Sequence, residues 1–176
     1  MYMNMINVDF NNYVNKALNR IKKGAFLTVK NKAKLNTMTI GWGSFGFIWG
    51  KPIIMIMVRK SRFTYKIIES TDNFSISIPF TENMKNELKY CGSYSGKKVN
   101  KFEACNLEII PGKLIETPVI KKCDLFLECK IKYKQQMDNK LLSSKYNKLW
   151  YPENDLHTLY FGELLSCYLQ DNQEGD

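Results

Sequence analysis

Residues 39–58 read TIGWGSFGFIWGKPIIMIMV. Gly41, Gly43 and Gly46 match the dinucleotide-binding pattern G-x-G-x-x-G. In that motif the glycines turn a strand into a helix, and a pyrophosphate rests on the helix N-terminus. The pattern carries this meaning only if a helix comes next. Gly46 instead leads into FIWGKPIIMIMV, which has no helical apolar stripe, contains Gly50 and Pro52, and ends in a strand-sized apolar run. The stretch reads strand, turn, strand, so the match is coincidental as a Rossmann motif. Glycine inside a strand marks a bulge or a close approach of a ligand to backbone. MTIGWGS (38–44) sets small residues beside the flat Trp42. It reads in two ways. Either a planar ligand lies against this edge with its rim bonded by Asn36, Thr37, Thr39 and Ser44, or the glycines soften a barrel corner in a tight hairpin.

Strand signals dominate the rest of the chain. AFLTVK (25–30) is short and apolar, and IIMIMV (53–58) is apolar on both faces, as expected of a fully buried strand. In NFSISIPF (73–80), Phe74, Ile76, Ile78 and Phe80 alternate with small residues. In CDLFLECKIKYK (123–134), Cys123, Leu125, Leu127, Cys129, Ile131 and Tyr133 form one face. Asp124, Glu128, Lys130, Lys132 and Lys134 dominate the other, predicting a half-solvated strand. HTLYFGELLSCYL (157–169) reads as one more strand with a bend or bulge at Gly162.

Helices are few. Phe10, Val14, Ala17, Leu18 and Ile21 recur at helical spacing, with Asp9 to cap the start and Gly24 as the left-handed stop. Shorter helices are expected at 62–69 after Ser61, at 82–90 after Thr81, and after Asn100, where Asn100 and Glu103 make a capping-box pattern. Antiparallel strands with inserted helices suggest a mainly β fold, a closed or split barrel.

The 176 residues suit one domain spanning 1–176. Composition is that of a soluble globular chain, and no apolar run approaches the ~20 residues of a membrane helix. MYMNMINVDFNN (1–12) lacks the basic and apolar regions of a signal peptide, so a cytoplasmic location is expected. The net charge of +9 attracts anions, but the lysines are scattered. With neither a basic stripe nor a recognisable module, nucleic-acid binding is not expected. Five cysteines without a C-x-x-C pair, and one histidine, argue against a disulfide framework and a metal site.

Two further constellations bear on function. VRKSRFTYKIIES (58–70) places Arg59 at a strand end, Ser61 at a helix start, and Arg62 and Thr64 in the first turn. Two guanidiniums, two hydroxyls and free N–H groups there point to an anion, most simply a phosphate. The alternative is plain capping with solvated arginines. Against it, Arg62 in a first turn opposes the helix dipole by ~0.3–1 kcal/mol, a cost an anion reverses. YCGSYSGKKVNKF (90–102) is a small polar loop with Gly92, Ser93, Ser95 and Gly96, then Lys97, Lys98 and Lys101. It either wraps a polar ligand or simply joins two helices. It lacks the order of a nucleophile elbow, and with the lone His157 distant in sequence, Cys91 reads as packing or ligand-lining.

Taken together, NTMTIGWGSFGFIWGKP (36–52), VRKSRFTYKIIESTDNFSISIP (58–79), YCGSYSGKKVNKF (90–102) and DLHTLYFGEL (155–164) resemble, in order and spacing, the flavin reductase-like family of FMN-binding split β-barrels that includes flavoredoxin. The resemblance covers roughly residues 10–169. It implies a Greek-key split barrel that forms a homodimer, with FMN near the subunit interface. It implies that Asn36, Thr37, Met38, Thr39, Trp42, Gly43 and Ser44 border the flavin ring, and that Arg59, Ser61, Arg62 and Thr64 hold the phosphate. Cys91, Gly92, Ser95, Gly96 and Lys101 would close over the cofactor. His157 would lie near the ring's reactive side; its other reading is a hydrogen-bonded strand residue. Asp155-Leu156-His157 lacks one polar position of the usual pattern, which puts a histidine-dependent step in question. Two activities are implied: an NAD(P)H-dependent flavin reductase, or an electron carrier that keeps its FMN and serves a redox protein partner.

Overall fold

The computed structural model describes residues 5–170. Its strands are β1 Met5–Asn7, β2 Ala25–Lys30, β3 Leu35–Ile40, β4 Gly43–Ile48, β5 Lys51–Arg59, β6 Asn73–Ile78, β7 Ile109–Ile110, β8 Val119–Ile120, β9 Leu125–Gln136 and β10 His157–Gln170. Its helices are α1 Val14–Ile21, α2 Phe63–Ile68, α3 Lys85–Ser93, α4 Lys101–Ala104 and α5 Ser144–Trp150.

The large sheet is antiparallel, in the order β3-β2-β6-β9-β10-β5-β4, with β1 added to the far end of β10. The two edge strands, β3 and β4, are consecutive in sequence and joined only by Gly41 and Trp42. The split in the barrel lies there, and residues of β2, β5, β6, β9 and β10 share one buried core with α1 and α2. Segment 39–58 forms strand, turn, strand, with Phe45 opposite Ile54 and Ile48 opposite Lys51. Gly50 takes a positive φ of 69° in the turn.

Gly162 sits where the β9–β10 register slips by one residue, as a strand glycine predicts. The reason is spatial: a Cβ there would come 2.7 Å from the Phe74 ring and 2.9 Å from Cys129 Cβ. Asp9 caps a short 3-10 turn at Phe10–Asn12 that leads into α1, and Gly24 ends the segment at φ 123°. The Asn100 side chain caps α4 by accepting from Phe102 N.

The structure departs from expectation in three places. The 82–90 helix begins later and runs through Gly92 to Ser93. Helix α5 carries no periodic apolar face towards a core and has no buried residue, so no sequence pattern announces it. Glu128 is not on a solvated face. It is fully buried, because residues 107–120 fold across β9 and form a second apolar cluster with Phe126 and Tyr168. Its carboxyl oxygens accept from Lys113 N, Leu114 N and the Tyr168 hydroxyl at 2.6–2.7 Å, so this buried polar group is bonded on both oxygens.

Candidate functional site

A cleft of about 190 Å³ opens beside the split in the barrel, lined by Met38, Thr39, Ile40, Gly41, Trp42, Met57, Arg59, Arg62 and His157. Strand pairing builds its floor: His157 at the start of β10 lies opposite Arg59 at the end of β5. Trp42, at the β3–β4 joint, stands 5.5 Å from the His157 ring and 5.0 Å from the Trp150 ring. The polar side chains of the lining are two guanidiniums, an imidazole and one threonine hydroxyl, with no carboxylate. The Thr39 hydroxyl donates to Leu88 O.

The phosphate constellation divides. Arg59 bonds the carbonyls of Asp155 and Trp150 at 2.8 and 2.9 Å, and its guanidinium stacks 4.8 Å over the Tyr151 ring. Ser61 donates through its hydroxyl to Asp155 at 2.6 Å, and its N–H approaches the other carboxylate oxygen at 3.3 Å. An internal carboxylate thus takes the position expected for the anion at Ser61. Ser61 is not the helix cap; Arg62 precedes α2, which is only six residues long and has no side-chain cap bond. Arg62 lines the cleft and, among the described residues, enters no salt bridge.

Other candidates turn inward. Thr64 is buried and accepts from Asn36 Nδ2 at 2.8 Å, tying β3 to α2. Thr37 is fully buried, bonding Leu27 O and facing the Thr28 hydroxyl. Lys101 is buried, and its ammonium donates to Thr37 O at 2.9 Å and Cys91 O at 2.7 Å, pinning the 91–101 loop to β3. Burial pulls its pKa down. Burial pushes the Cys91 thiol up to about 12, which rules against a thiolate nucleophile there. Gly43 and Ser44 belong to edge strand β4, opposite Ile56 and Met55, and do not line the cleft.

A second hollow of about 470 Å³ is walled by Asn36, Phe63, Gly96, Lys97, Lys98 and Lys101 among others. A Cβ on Gly96 would fall 2.0 Å from Asn36 Oδ1, so this close approach requires glycine. Ser95 does not face it; its hydroxyl accepts from Lys97 N at 3.3 Å. Gly92 packs near Thr39. Sequence reasoning missed Met57, Trp150 and Tyr151. The dense aromatic pair in KLWYPEND (148–155), just before Asp155, was the available signal.

His157 is 8% exposed, and its Nδ1 lies 2.8 Å from the Tyr151 hydroxyl. Burial first, and the Arg59 charge second, push its pKa down to about 4. The unfolded chain, with histidine near 6.5, therefore binds a proton that the folded chain refuses, and stability falls as pH drops from about 6.5 to 4. The shift corresponds to about 3 kcal/mol for this one group. Denaturant unfolding across that window, compared with His157→Gln, should show a shallower fall in the variant; identical slopes would contradict this.

The chain matches the family model for the flavin reductase like domain over residues 21–176. The chain belongs to the flavin reductase-like family. Among solved structures, it is similar to flavoredoxin from Methanosarcina acetivorans (28% identity, TM-score 0.65, 84% of this chain and 68% of that one). An FMN-binding domain of a flavin reductase-like enzyme from Shewanella baltica superposes with TM-score 0.68 at 19% identity, over 97% of this chain and 79% of that one. A Streptomyces globisporus NADH:FAD oxidoreductase does so with TM-score 0.62 at 17% identity, over 85% and 80%. Among curated proteins, an uncharacterised Archaeoglobus fulgidus protein is 27% identical over 140 residues, 80% of this chain and 68% of its own length. An uncharacterised Escherichia coli K12 protein, YddH, is 30% identical over 97 residues, 54% of this chain and half of its own length. Among the described residues, no helix is long and apolar enough to cross a membrane, and no group of three or more His, Cys, Asp or Glu side chains could hold a metal.

FMN suits this donor set. The lining presents cations, an imidazole and a flat indole, with no carboxylate to repel a phosphate or a flavin's carbonyl edge.

Proposed function

We propose that the protein is an FMN-binding flavin reductase that accepts hydride from NAD(P)H. The observation that carries this reading is the cleft itself: a donor-rich, carboxylate-free lining with Trp42 at one wall and Arg62, which enters no salt bridge among the described residues. Its sequence neighbour Phe63 walls the basic hollow at Gly96. Arg62 would hold the phosphate, with Lys97 and Lys98 adding positive potential. The Thr39–Trp42 segment would border the ring. Trp42 and Met57 would shield one side of it from water, and His157 would offer a ring nitrogen at the cleft floor. Bound FMN supplies the hydride-accepting chemistry, and the protein supplies position and charge.

The test is anaerobic mixing of the purified, FMN-loaded protein with NADH or NADPH, monitored by flavin absorbance. Bleaching within seconds supports the reductase; no bleaching with FMN still bound supports the second reading. That reading, an FMN electron carrier serving a redox protein partner, is favoured by the 28% identity to an archaeal flavoredoxin.

The family resemblance also supports a homodimer in the cytoplasm. Phe47 and Trp49 at the β4–β5 turn are 74% and 61% exposed, and Trp49 packs on the exposed Tyr133. Such a patch is the kind a second subunit covers. Sedimentation should give twice the 20.6 kDa chain mass, and Trp49→Lys should give the monomer; a monomeric wild type that retains FMN would contradict the shared site.

A further inference from the structure

His157 has one nitrogen committed. Its Nδ1 lies 2.8 Å from the Tyr151 hydroxyl, and both side chains are buried, at 8% and 5% exposure. The same hydroxyl lies 3.5 Å from Met137 Sδ. A phenol has one proton to donate, and a thioether sulfur is a weak acceptor beside an imidazole nitrogen. The proton therefore goes to Nδ1. The neutral ring must then carry its own proton on Nε2, the nitrogen left for the cleft that His157 lines.

Tyr151 is held to this task from both sides. Arg59 bonds the carbonyls of Trp150 and Asp155, which flank it, and stacks over its ring. Ser61 anchors the Asp155 carboxylate. The charged groups acting on the imidazole are Arg59, Arg62 and Asp155, and burial with the two guanidiniums outweighs Asp155 in keeping it neutral. Arg59 and Ser61, expected from the sequence to hold a phosphate, thus clamp the Tyr151 loop through Asp155.

We infer that Tyr151 is a positioning residue that fixes His157 in its Nε2–H form, so that the imidazole meets the ligand as a hydrogen-bond donor. The two guanidiniums and the imidazole lining the cleft are then all donors, and the ligand atom at His157 must be an acceptor, a carbonyl or imide oxygen. This rests on the FMN reading only for the identity of that ligand.

His157 is the chain's one histidine, so its two ring nitrogens give an unambiguous spectrum. The experiment is long-range ¹H–¹⁵N correlation at neutral pH on the wild type, Tyr151→Phe and Met137→Leu, with FMN affinity measured on each. The wild type is expected to show the proton on Nε2 and a hydrogen-bonded, unprotonated Nδ1. Tyr151→Phe should move the Nδ1 signal to its unbonded position and weaken FMN about two- to tenfold, the range of one ordinary hydrogen bond. Met137→Leu should leave both nitrogens where they are. A proton found on Nδ1 in the wild type overturns the inference. So does a Tyr151→Phe protein whose nitrogen signals and FMN affinity match the wild type. If Tyr151→Phe does not fold, the wild-type and Met137→Leu spectra still decide the tautomer. If the wild type takes up no FMN, the functional proposal falls while the spectrum still decides the role of Tyr151.

Discussion

Arg62→Ala weakens FMN binding about ten- to a hundredfold and leaves riboflavin nearly unchanged. The expectation follows from where the other polar candidates went. Arg59 is committed to two backbone carbonyls, Ser61 to Asp155, and Lys101 to Thr37 and Cys91. Arg62 is the cleft guanidinium left for a phosphate. Loss of one charge-assisted hydrogen bond, about 1.5–3 kcal/mol, gives that factor. Riboflavin shares the ring and lacks the phosphate, so the ratio of the two affinities isolates the contact. Fluorescence quenching of both flavins on both proteins is the measurement. Equal weakening would mean that Arg62 supports the ring or the fold instead.

Glu128→Ala is expected to be the most damaging single change to stability. It removes, from a fully buried position, the acceptor for two part-buried loop N–H groups and the buried Tyr168 hydroxyl. One buried hydroxyl and two part-buried N–H groups left unpaired, together with a new cavity, suggest about 3–5 kcal/mol. In a chain of this length that lowers Tm by roughly 6–20 °C. A thermal melt shifted by less than about 2 °C, below the shift of even a ~1 kcal/mol change, would show that the 107–120 segment does not depend on this carboxylate.

The strands were legible because their signals are local. Glycine and proline between apolar runs identify the β4–β5 hairpin, and Gly162 marks its own bulge. Glu128 was not legible, because alternation reports one covered face and says nothing of a loop folded across the other. Helix α5 lacks the buried stripe by which helices are recognised.

At the site, the structure brings some of the expected residues to one cleft and turns others inward. Met38, Thr39, Trp42, Arg59, Arg62 and His157 converge on one cleft. Thr37, Thr64, Cys91 and Lys101 lie nearby but point into the protein, since local sequence does not reveal which backbone carbonyl a lysine will find. The bonds of Arg59 and Ser61 to Asp155 span up to 96 residues of sequence and follow from the pairing of β5 with β10, whereas Tyr151 meets His157 across only six residues, in a loop whose path local sequence does not announce.

The central claim is that this cleft holds one FMN. Equilibrium titration of the purified chain with FMN, monitored by flavin fluorescence, tests it most directly. Saturation at one flavin per chain, with riboflavin binding at least about tenfold more weakly, is the predicted result. Absence of saturable FMN binding, or equal affinity for the two flavins, would contradict it.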